Sequence, residues 1–174
     1  CMTAIGPAAS KSSLNLSPGK YLLHFNLDGD IDEFSLTISD SSISVVGEGS
    51  QFMIAEKPLV WRYPPQSFAY LCGTTTETSW ICDDFLDSLM VTGLFQPYQF
   101  PDSGFVPYPE SSGGHYYDMP ALYFRYAEEA DFAAAGAVLE RYSKTTTSMH
   151  SGVGLSLINW RNRRYYSWIL EDQQ

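Results

Sequence analysis

The strongest constraint on this chain is a rhythm: from residue 20 to residue 71, short apolar and aromatic runs are cut every few residues by turn formers. Runs of this length fit strands better than helices. Residues 20–27 (KYLLHFNL) and 33–39 (EFSLTIS) flank Asp28-Gly29-Asp30, a hairpin turn sequence. Further strands are expected at 42–46, 51–55, 59–63 and 67–71, with Gly47-Glu48-Gly49 and Pro64-Pro65 as punctuation. The acids from Asn26 to Phe34 alternate as in a calcium loop. That alignment, however, puts Ile31 where such a loop needs glycine and Thr37 where it needs a bidentate Glu, so the string is read as a hairpin turn. The first nineteen residues mix small residues, Ser and Pro without periodicity. They read as an extended arm (1–19) before one globular domain (20–174).

Two helices interrupt the strands. In the first, Ile81, Phe85 and Leu89 with Cys82, Leu86 and Met90 make one apolar face, Thr74-x-x-Glu77 suggests a capping box, and Gly93 a stop. Asp83, Asp84 and Asp87 should then face water. The second spans about 128–144, with Phe132, Ala135, Leu139 and Tyr142 on one stripe, acids at its start, and Arg141 and Lys144 at its end. Between them, residues 96–120 hold five prolines, three glycines and many aromatics, and read as a long irregular excursion. Its aromatics, Tyr98, Phe100, Phe105 and Tyr108 among them, are expected to be exposed and then covered by a partner subunit. Strand pattern returns at 154–160 and 165–170, joined by Arg161-Asn162-Arg163-Arg164. With aromatic residues at 15% of the chain, the class expected is mainly β: a β-sandwich of jelly-roll type with two short helices. The alternative is α+β with an open antiparallel sheet.

Charge is unevenly placed. Residues 1–140 carry 5 basic and 18 acidic side chains, whereas 141–174 carry 5 basic and 2 acidic, a basic island on a chain of net charge −10. Arg161, Arg163 and Arg164 are therefore candidate contacts for RNA or an acidic partner, and at least two of their heads should point outward, away from carboxylates. Cys1, Cys72 and Cys82 fit neither a disulfide scaffold nor a zinc site. A Cys72–Cys82 bridge is sterically feasible, but two small buried apolar residues is the reading adopted, and the redox compartment stays open. His115 and Asp118 lie three apart while His24 and His150 are scattered. No G-x-S-x-G elbow, H-E-x-x-H or Gly-rich phosphate loop occurs, so neither an enzyme, a metal nor a cofactor is expected.

The two ends carry a resemblance. A start at Cys1 and an end at Gln173-Gln174, on a chain of this make-up, resemble a coat subunit cut from the polyprotein of a picorna-like virus. That resemblance implies a non-enzymatic structural subunit of a virion shell, partnered by copies of itself or sister subunits. Cys1 followed by a polar tether also resembles a mature bacterial lipoprotein, which implies a binding module at the outer membrane or in the periplasm, held by its lipid. A third reading takes Cys1 as the nucleophile of an N-terminal-nucleophile amidohydrolase. No apolar run is long enough to span a bilayer.

Overall fold

The computed structural model describes residues 15–27, 29–47 and 54–168. Cys1, most of the arm, Asp28 at the first turn, residues 51–53 of an expected strand, and Gln173-Gln174 lie outside the described residues. Among the described residues the fold is mainly β, with two antiparallel sheets and two α-helices. Four strands make the first sheet in the order β1-β2-β3-β4: β1 (Gly19–Leu27), β2 (Asp30–Ile38), β3 (Ser42–Val46) and β4 (Leu59–Trp61). The hairpin expected around Gly29 forms, pairing Leu27 with Asp30 and Leu23 with Phe34. Because paired residues share a face, Tyr21, Leu23, Phe34, Leu36 and Val45 fall on one side, where Phe34 and Leu36 are buried.

The second sheet has the order β6-β7-β5-β8-β9. Its strands are β5 (Ser67–Thr74), β6 (Gln96–Tyr98), β7 (Tyr117–Arg125), β8 (Gly154–Asn159) and β9 (Arg164–Tyr166). Helix α1 (Trp80–Met90) joins β5 to β6, and α2 (Glu129–Thr145) joins β7 to β8. The connectivity from β5 to β8 is therefore β-α-β-β-α-β, the split βαβ arrangement, with β9 added at one edge. Both sheets are open, and the helices cover one face of the second. This is the architecture of the α+β alternative; no jelly roll of two face-to-face sheets is seen among the described residues. None of the described helices is long and apolar enough to cross a membrane.

Both helices bury the predicted faces: Ile81, Cys82, Phe85 and Leu89 on α1, and Phe132, Ala135, Leu139 and Tyr142 on α2. The three α1 aspartates face outward, and Gly93, at φ 70°, ends that helix. The capping box is misplaced in the sequence reading. Thr74 ends β5 with its side chain buried, and the reciprocal cap sits on α2 instead, where the Glu128 amide donates to Asp131 Oδ2 at 2.9 Å. At the centre, Phe68 is fully buried between Phe95, Phe124, Tyr126 and Phe132, its ring centroid 5.3 to 6.3 Å from theirs.

The largest departure from expectation is β7, which occupies the end of the supposed excursion and pairs along nearly all of β5. Its register shifts between Tyr70 and Cys72, so that Pro120 and Ala121 face the single residue Leu71. A bulge is where a strand tolerates proline. Cys72 at the end of β5 and Cys82 in the first turn of α1 form a disulfide, with Cα atoms 5.7 Å apart, which replaces the expectation of two free thiols. On α2, Gly136 lets the helix approach Tyr165, since a Cβ there would lie 2.6 Å from the ring. Gly136→Ala is expected to destabilise the chain by about 1–2 kcal/mol, overpacking outweighing the helix-propensity gain. Urea unfolding checks this, and an unchanged or raised midpoint would contradict the close approach.

Candidate binding groove

The segment between β6 and β7 lies back across the sheet face opposite the helices. There Phe100 and Tyr108 join Ala69, Leu71 and Ile158 in a second core, with Trp61, Tyr98, Val106 and Tyr123 packed against it. The rings are fixed from several directions. Ser67 Oγ gives its proton to the Pro64 carbonyl at 2.5 Å, so the Tyr108 hydroxyl donates to Ser67 Oγ at 2.7 Å. Burial pushes the Tyr108 phenol well above its usual range, so it stays a donor throughout the neutral range. Tyr63 OH donates to the Pro107 carbonyl at 2.7 Å, and Trp61 Nε1 to the Ser103 carbonyl at 2.6 Å. Phe105 is bridged by its backbone to β4, accepting from Trp61 N and donating to Leu59 O. Gly104 turns the chain here at φ 88°, with Leu59 and Trp61 too close to admit a side chain.

Two grooves flank this folded loop and share Tyr98, Phe100 and Pro101. The larger, about 680 Å³, runs from Leu86 and Met90 at the end of α1 over Leu122 and Phe124 to Val106, and is mostly apolar. The smaller, about 360 Å³, has Trp61, Tyr63 and Pro65 as walls, with Asp40 and Arg62 at its rim. Apolar lining with a few polar groups at the edge is the usual make-up of a small-molecule or side-chain site.

Of the four loop aromatics singled out from sequence, Tyr98 and Phe100 line both grooves. Phe105 lines neither groove and is 36% exposed, with Lys57 Nζ 5.2 Å from its ring centre. Phe100 and Tyr108 are only 6% and 3% exposed, so this part of the expected open aromatic patch is closed by the chain's own sheet, whereas Tyr116 and Tyr117 stay exposed. Trp61, Tyr63, Leu86 and Met90 were not singled out as site residues. The Trp61-Arg62-Tyr63-Pro64-Pro65 run, with rings held next to stiff prolines, was the available signal.

The arginines divide. Arg161 stacks on Trp160 with its Nη1 3.9 Å from Glu129 Oε1, whereas Arg163 lies over Tyr165, and Arg164 donates to Asn162 Oδ1 and the Tyr166 hydroxyl. Among the described residues, neither Arg163 nor Arg164 has a carboxylate within ion-pair distance.

The structure also gathers Ser112, His115 and Asp118 over a window made by Gly73 and Gly154. Ser112 donates to Asp118, and both lie beside the same ring nitrogen of His115, 3.2 and 3.4 Å from Nδ1. A nucleophilic triad instead needs the imidazole between hydroxyl and carboxylate, using both nitrogens. The cluster pins the loop: the Ser112 hydrogen bond, outweighing partial desolvation and helped by His115, holds the Asp118 carboxyl below its usual range. No group of three or more metal-ligating side chains occurs among the described residues. Compared with protein-family models, with curated proteins and with solved structures, the chain matches none.

Proposed function

We propose that this chain is a non-enzymatic binding module that works in an oxidising, extracytoplasmic compartment and takes an apolar ligand or side chain in the groove beside Tyr98 and Phe100. The observation that carries the reading is the mostly apolar larger groove, which shares Tyr98 and Phe100 with the smaller groove, where the Trp61 and Tyr63 rings are anchored through their own polar atoms and so presented without a large ordering cost. The disulfide supports the compartment. Cys72 on β5 and Cys82 on α1 are both buried, and such bridges persist where thiols are not kept reduced. The virion-shell reading loses the support a sandwich would have lent it, since the helices, not a second sheet, cover one face of the β5–β9 sheet.

The test is a substitution at the groove wall. Met90→Lys puts a charge there while leaving a cation at a helix C-terminus, where the dipole favours it. Binding of the neutral apolar dye Nile red is expected to fall roughly tenfold or more, because an apolar guest then borders a charge, with the melting point nearly unchanged. Equal dye binding by both proteins would remove the groove from the proposal.

A further inference from the structure

We propose that the outer edge of the second sheet, strand β9 with its arginine turn, docks on the headgroup layer of an anionic membrane. This goes beyond the groove reading and rests on the proposed function only for the compartment. The turn is rigid: Asn159 Oδ1 accepts the amides of Arg161 and Arg163 at 3.0 and 2.8 Å, and Asn162 takes the left-handed conformation at φ 62°. Arg161, Arg163 and Arg164 are exposed, and each guanidinium is held by a neighbour: Arg161 is 4.5 Å from the Trp160 ring centre, Arg163 is 5.1 Å from that of Tyr165, and Arg164 Nη1 is 3.1 Å from the Tyr166 hydroxyl.

These anchors decide the partner. Tyr165 packs on Phe132 of α2, whereas Tyr166, the next residue in the strand, belongs to the opposite face, so Arg163 and Arg164 emerge on the two sides of one edge strand. Cations splayed in this way do not converge on a single small anion. They also line neither of the two grooves beside Tyr98. They suit a flat layer of phosphates met edge-on, into which both sides of β9 can reach. Just beyond β9, Trp168 packs against Tyr166, its ring tilted by 34° with centroids 4.7 Å apart, and is 59% exposed. An exposed indole beside arginines is the pairing favoured at the membrane–water boundary. An extracytoplasmic location also favours a lipid surface over a nucleic acid as the source of those phosphates.

The probe is vesicles of phosphatidylglycerol and phosphatidylcholine in equal parts, set against phosphatidylcholine alone and against oligothymidylate. Partition onto the anionic vesicles is expected at low salt and should weaken as salt rises. The triple variant R161Q/R163Q/R164Q should lose it on the order of 100-fold, about fivefold for each arginine near the surface. Trp168→Ala should lose a several-fold component that salt does not affect. A control with the same change of net charge elsewhere, K20Q/K57Q/K144Q, should keep the binding. Absence of partition by the unaltered chain, equal partition onto phosphatidylcholine alone, or equal loss in the control would each overturn the proposal. Binding to oligothymidylate without binding to vesicles would give the edge to nucleic acid instead.

Discussion

Replacing Phe68 with Ala is expected to remove about 4 kcal/mol of stability, the largest loss from any single side chain considered. Phe68 lies on the central strand of the second sheet and has no exposed surface. It contacts rings from four different segments: Phe95 beyond α1, Phe124 on β7, Tyr126 beyond it, and Phe132 on α2. A smaller residue leaves a cavity that these segments cannot all close, because each is tied to its own strand or helix. For a domain of this size the melting point should drop by roughly 8–16 °C. A drop of only a degree or two would mean that the helices do not close over the sheet as described.

The paired substitution of Cys72 and Cys82 by Ala should cost about 3 kcal/mol. The bridge closes a loop with a sequence separation of 10, and in the chain-entropy description a loop near that length restrains the unfolded chain by this amount. The link also ties α1 to the end of β5, next to the Tyr70 hydroxyl that donates to the Cys82 carbonyl at 2.9 Å. Melting should fall by roughly 6–12 °C, and adding reductant to the variant should change nothing further. If the variant melts with the unaltered oxidised chain, the bridge contributes nothing and the argument for an oxidising compartment loses its physical basis.

Sequence legibility followed the range of the interactions. The two helices and the first hairpin are written in local period and turn chemistry, so Ile81, Phe85 and Leu89 could be assigned to a buried face from spacing alone. Strand β7 could not, because Pro120 breaks the pattern and only the bulge opposite Leu71 makes it tolerable. The Cys72–Cys82 bridge was feasible from sequence but not decidable, since it depends on the chain turning back from β5 into α1 within a few residues. For the loop aromatics, composition singled out Tyr98, Phe100, Phe105 and Tyr108 but not where they would go. The burial of Phe100 and Tyr108 is decided by the sheet face formed by Ala69, Leu71 and Ile158, residues distant in sequence, whereas Phe105 stays exposed. The arginines were legible as a charge island, whereas their division between the two sides of β9 needed the strand register.

The central claim, that the groove beside Tyr98 and Phe100 is where this chain binds, is tested most directly by following backbone amide NMR signals while titrating small neutral apolar fragments. The account predicts saturable shifts concentrated at residues 98–106 and 121–124 and at Leu86 and Met90, the walls of the larger groove. The first sheet provides the internal comparison, because Leu22, Ile31 and Val46 are 58%, 58% and 69% exposed and would attract any fragment that simply seeks apolar surface. Shifts centred on those residues, or no saturable shifts anywhere, would contradict the account.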